Sequence, residues 1–169
     1  RFTDTVIVEP GGRIAPGFAD GDIEILGMGT SLVASVGAEL TFDLGAIGGN
    51  SGASDQIRCS GTASLEGAIL HLVQVDPGNW TGSTNWHAGV KYDLVRAASI
   101  NGIPTFDAGQ LPPLAPGLNW EWLTRADGEE IIGYIAVCFR PAPVDASVVD
   151  GAFQITLQDA GELNEELWA

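Results

Sequence analysis

Between residues 37 and 75 the chain runs GAELTFDLGAIGGNSGASDQIRCSGTASLEGAILHLVQV, and no helical period fits it. Two runs, 39–44 and 68–75, alternate side chains with period two, and a third, 56–59, lies between them. Alternation sends successive side chains to opposite faces, which is the mark of a β-strand. Glycine-rich turns separate the three runs. The rest of the chain is punctuated in the same way, by 23 glycines and 9 prolines in all. The fold class that follows is all-β, with little or no helix outside the C-terminal tail. Short strands joined by glycine turns allow two architectures, a short β-solenoid or a jelly-roll-like β-sandwich.

The 169 residues, 45% of them apolar, suffice for one core, so residues 1–158 are expected to form a single domain. TVIVE at 5–9 is a β-branched run that ends at Pro10. It pairs with its own sheet or is exchanged with a neighbouring molecule's exposed edge. Further strands are expected at 23–26, 31–35, 63–65, 90–96 and 131–139, with a hairpin turn at Asp127-Gly128 and a last hairpin around Asp150-Gly151. Residues 159–169 form an acidic tail, read as a short helical turn or as disordered, in which Leu163, Leu167 and Trp168 are apolar.

The net charge is −15 and Lys91 is the sole lysine. A surface this acidic repels phosphate backbones and anionic membranes, so neither nucleic acid nor membrane insertion is expected. No apolar run approaches the ~20 residues that a membrane-spanning helix needs. The chain starts at Arg1 without a methionine, the pattern of a processed chain. The expected setting is extracellular or at the cell surface, after removal of a signal peptide.

Candidate sites follow from residue types. Cys59 and Cys138 read as one disulfide or as two separately buried thiols. Asp20, Asp22 and Glu24 alternate around Gly21 and are candidate oxygen ligands for calcium, or simply solvated turn residues. Trp80 and Trp86 in a polar loop, with Trp120 and Trp122 on one face of a later strand, are candidate platforms for sugar rings. His71 stands alone among apolar residues, which reads as a core histidine. No nucleophile, base or paired carboxylate is placed for catalysis, so no enzymatic activity is expected. In 68–75 both faces are largely apolar, so the strand is covered on both sides or offers Leu70 and Leu72 to another subunit. Thr5, Val6, Ile7 and Val8 on the first strand, and Leu167 and Trp168 in the tail, are the other candidate subunit contacts.

One resemblance spans about residues 10–138. Gly11-Gly12-Arg13-Ile14-Ala15-Pro16-Gly17, then Ile23-Glu24-Ile25, then Gly37-Ala38-Glu39-Leu40-Thr41-Phe42-Asp43-Leu44-Gly45 resembles the C-terminal β-helix and cap region of autotransporter-type and PEP-CTERM-type bacterial surface adhesins. Asp55-Gln56-Ile57 with Gly61, Ala63, Leu65 and Gly67 continues that pattern, as do Gly89, Tyr92 and Leu94. The resemblance implies a surface protein that adheres or scaffolds and carries no chemistry. The two cysteines and the tail after Arg140 depart from the pattern. The expected function is therefore that of a non-enzymatic structural or adhesive homo-oligomer, assembling into a filament or layer through open strand edges. The alternative is a carbohydrate-binding module with glycans as partners.

Overall fold

The computed structural model describes residues 4–17, 23–48, 51–75 and 87–139, together with the backbone of strands Asp145–Val149 and Ala152–Thr156. It is an all-β structure, and its core is a short parallel β-solenoid. The chain winds through three ladders in turn. The first stacks β1 (Val6–Val8), β4 (Leu32–Ala34), β8 (Thr62–Ser64) and β11 (Ser99–Asn101). The second stacks β2 (Arg13–Ile14), β5 (Glu39–Gly48), β9 (Ile69–Gln74) and β12 (Thr105–Phe106), all parallel. The third stacks β3 (Ile25–Met28), β7 (Gln56–Cys59) and β10 (Lys91–Ala97), while the short β6 (Ser51–Ser54) folds back antiparallel on β5. Of the two architectures the sequence allowed, the stacked parallel ladders select the solenoid.

Successive coils lie in register. Val6 sits over Leu32, Leu32 over Ala63, and Ala63 over Ile100. The step from coil to coil thus grows from 26 to 31 to 37 residues. The growth comes from the connections between the second and third ladders, because the passage from first to second ladder stays short. A glycine makes that passage possible. Gly11, Gly37 and Gly67 hold φ of 75°, 79° and 68°, a region closed to most side chains. Gly11 N–H donates to Gly37 O, and Gly37 N–H to Gly67 O, each at 2.9 Å, so the corners themselves stack.

Inside the coils the alternation works as strand geometry requires. Leu32, Ala34, Leu40, Phe42, Leu44, Ile57, Cys59, Ala63, Leu65, Leu70 and Leu72 all face the lumen and are buried. Each aliphatic side chain of this size contributes roughly 1.5–3 kcal/mol when it leaves water. β10 breaks its alternation at Leu94 and Val95, both buried, where a bulge interrupts its pairing with the next strand.

The third ladder ends differently from the others. β10 pairs antiparallel with β14 (Glu130–Phe139), and β14 pairs with β13 (Leu118–Asp127) through a tight turn at Gly128, φ 65°. This hairpin closes the fourth coil. Trp120 is 5% exposed, its ring centroid is 6.4 Å from that of Tyr92, and its Nε1–H donates to Pro112 O at 3.2 Å. Trp122 lies over Gly133, where an added Cβ would come within 2.5 Å of the indole. On the outer face of the same hairpin Arg125 pairs with Asp93 at 2.7 Å, and Arg96 with Asp127 and Glu130 at 2.9 and 3.0 Å. Beyond it, β15 (Asp145–Val149) pairs antiparallel with β16 (Ala152–Thr156), and the expected turn at Asp150-Gly151 lies outside the described residues. Among the described residues no helix is long and apolar enough to cross a membrane.

Candidate functional site

Parallel pairing uses alternate residues of each strand, so the first coil leaves a defined set of backbone groups unused. Val6 N–H donates to Ser31 O at 2.8 Å and Val8 O accepts from Ser35 N–H at 2.9 Å. The amide groups of Thr5 and Ile7 therefore point away from β4, along the solenoid axis. On β2, Gly12 O accepts from Glu39 N–H, which leaves Arg13 facing the same way. On β3, Glu24 O accepts from Gln56 N–H, which leaves Ile25 and Gly27. Among the described residues no strand pairs with this side of β1, β2 or β3. The side chains flanking the open edge include Ile7, 59% exposed, and Ile25, 54% exposed. Proteins usually blunt such an edge with lysine, proline or a bulge. The β1 run Thr5-Val6-Ile7-Val8 carries none of these.

The first coil is fastened to the second by a buried carboxylate. Asp55 is 1% exposed. Its Oδ1 accepts from Glu24 N–H at 2.8 Å and its Oδ2 from Asp43 N–H at 2.9 Å, while its own N–H donates to Asp43 O at 2.9 Å. Burial raises the pKa of this carboxyl, the two backbone donors pull it back, and the nearby Asp43 and Glu24 charges add to the rise. In the sequence Asp55 was visible only as one letter of a motif. Its partners are 12 and 31 residues away, and nothing local announces them.

A second polar cluster lies on the outer face of the second ladder. Arg13, Glu39, His71, Leu72, Val73 and Gln110 line a groove of about 200 Å³. Arg13 Nε–H donates to Thr41 Oγ1 at 3.0 Å, and His71 Nε2 stands 3.5 Å from Glu39 Oε2. Gln110, from a 3-10 turn at Ala108–Gln110, accepts from Leu72 N–H through its side chain and from Gln74 Nε2 through its carbonyl. The groove is smaller than the ~300 Å³ at which small-molecule pockets begin. It sets an imidazole beside a carboxylate, and the hydroxyl of Thr41, which is level with His71 on the neighbouring strand, is held by Arg13. His71 is thus an outer-face residue, where the sequence suggested a core one, because odd-numbered residues of β9 point out of the coil.

Other expectations are corrected in the same terms. Leu70 and Leu72 are 1% and 3% exposed in the lumen, which removes them as subunit contacts. The strand is covered by the core on one side, and on the other His71 and Val73 line the groove, with Val73 exposed. Trp120 is buried, which withdraws its face from a sugar, while Trp122 is half-buried against the core and Gly133. Cys59 and Cys138 are free thiols and form no disulfide. β10 separates their strands. Cys59 is level with Ala97 by register, whereas Cys138 follows Val137, which bonds to Val90 at the other end of β10. At ~3.3 Å per residue that offset is about 26 Å, against the ~7 Å limit for bridging Cα atoms. Burial pushes the Cys59 thiol up to about 11, and burial together with Glu121 raises that of Cys138.

Val6, Ile7 and Val8 are in place on β1, paired with their own sheet on one side. Glu24 sits at the Asp55 fastening; Asp20 and Asp22, the other two candidate calcium ligands, lie outside the described residues, as do Trp80, Trp86, Leu167 and Trp168. Among the described residues no three acidic, histidine or cysteine side chains gather as a metal site. No protein-family model matches the chain, and no curated protein matches its sequence.

Proposed function

We propose that this chain is a non-enzymatic structural module of an extracellular or cell-surface assembly, which engages further β-strands through the open edge of its first coil. One observation carries the proposal: the outward amides of Thr5, Ile7, Arg13, Ile25 and Gly27 lie on one rim, unpaired among the described strands and flanked by exposed Ile7 and Ile25. Main-chain groups in such a row supply affinity when another strand adds to them. The likeness to surface adhesins supports the extracellular setting.

Amide hydrogen exchange read residue by residue tests this. The outward amides of Thr5, Ile7 and Ile25 are expected to exchange fast in dilute protein and to become protected as concentration rises, while those of Val6 and Val8 stay protected throughout. Outward amides that remain fast at every concentration, in a chain that stays monomeric, would overturn the proposal.

A further inference from the structure

We infer that the open edge joins two copies of this chain head to head, first coil to first coil, in a closed two-fold dimer. The inference rests on the edge-addition reading above and names its partner.

The two ends of the solenoid are not alike. A copy stacked head to tail would need three parallel edges presented together at the fourth coil, one from each ladder. The third ladder does not present one there, because β10 is already occupied by β14 and the hairpin turns antiparallel. Trp120, Trp122 and Leu111 cover the lumen at that end. Past β12 the outward amide of Leu72 is taken by Gln110, and Pro104, Pro112, Pro113 and Pro116 remove further donors. Heterologous contacts propagate only when each end accepts the other. At the second end the edges of β11 and β12 are not joined by a matching third edge, so a closed pair is favoured over the filament expected from the sequence.

The first coil, in contrast, is complementary to itself. All its strands circulate in one sense around the axis. Turning a second copy over reverses that sense, so every strand that meets across the junction is antiparallel. A two-fold through the middle of the first ladder brings β1 against β1 of the partner copy. It also exchanges the other two ladders, so that β2 meets β3 of the partner copy. The charges suit this exchange: β2 carries Arg13, and β3 is entered through Glu24. Isologous contacts of this kind close at two. The shared edge is short, three residues from β1 with two and four from β2 and β3. Each copy also brings a net charge of −15. Association is therefore expected to be weak at low ionic strength and to strengthen with salt, the sign opposite to that of a junction built from ion pairs alone.

Sedimentation velocity with light scattering, across protein and salt concentration, reads the outcome. A reversible monomer–dimer equilibrium that stops at two and tightens with salt is expected. Ile7→Pro deletes one outward amide per copy and leaves the Val6 and Val8 bonds to β4 intact, a position at which edge strands tolerate proline. Because symmetry doubles the loss, it is expected to weaken the dimer ~10-fold or more without lowering the thermal midpoint. Ile7→Lys, which places a charge at the same edge, serves if the proline variant does not fold. Filaments or open-ended oligomers would overturn the closed geometry and leave edge addition standing. A chain that stays monomeric everywhere would overturn both. A dimer indifferent to both Ile7 variants would overturn the assignment of the interface to β1.

Discussion

Asp55→Ala is the sharpest probe of how the first coil is held. The side chain is buried, and its two oxygens accept from the backbone of two different coils, Glu24 in the first and Asp43 in the second. Alanine strips both acceptors and leaves two N–H groups facing a space with no replacement. Each orphaned buried donor costs about 1–3 kcal/mol. Relief of the carboxylate's own desolvation, and of its repulsion by Asp43 and Glu24, offsets part of this. A net loss of about 2–4 kcal/mol is expected, or roughly 5–15 °C in thermal midpoint for a chain of this length. Urea unfolding at neutral pH, followed by tryptophan fluorescence, measures it. Asp55→Asn keeps one acceptor but turns an amide donor toward the other N–H, so it should fall between wild type and alanine. The pH dependence has a definite sign. A carboxyl whose folded pKa lies above its ordinary 3.8 makes the folded state bind protons more readily, so its contribution to stability worsens as pH rises through the folded pKa. The advantage of wild type over Asp55→Asn should accordingly grow as pH falls toward 4. An alanine variant within ~0.5 kcal/mol of wild type would refute the fastening role, because two abandoned donors cannot be silent in a dry corner.

Two further outcomes test the packing. Gly133→Ala would push a methyl group to 2.5 Å from the Trp122 ring, and overpacking at a well-filled position costs about 1–3 kcal/mol; a matching change in near-ultraviolet circular dichroism would report the displaced indole. Thiol titration of the native chain at pH 8 should label Cys138 slowly and Cys59 more slowly still, since burial holds the latter's pKa near 11, and denaturation should release two thiols per chain. Mass spectrometry of the unreduced, alkylated chain that showed a Cys59–Cys138 link would overturn the register drawn across β10.

Much of the local structure was legible in the residues. The run 56–59 is β7, 31–35 brackets β4, and Asp127-Gly128 sits at the hairpin as expected. These successes share a cause: alternation and turn chemistry act over a few residues, and a strand in a covered ladder obeys them. Trp120 and Trp122 were likewise correctly placed on one face of one strand. What that face meets, the core at the closed end, depends on Tyr92, Ile100 and Gly133 arriving from elsewhere in the chain.

The coil repeat was hidden for a different reason. Gly11, Gly37 and Gly67 mark equivalent corners, yet their spacings are 26 and 30 residues. Loops of unequal length between the second and third ladders destroy any fixed period, and periodicity is what a single sequence offers to the eye. The same holds for Asp55, whose two acceptor bonds span 12 and 31 residues, and for the cysteines, whose parity could be counted but whose separation along β10 could not. By itself, then, the sequence determined the all-β class, the strands and their turns, because those follow from side-chain alternation and backbone freedom at glycine. Which strands stack, which face is lumen, which thiols stay apart and which edge is left open were decided by the tertiary structure alone, because parallel pairing joins residues that have no local relation to one another.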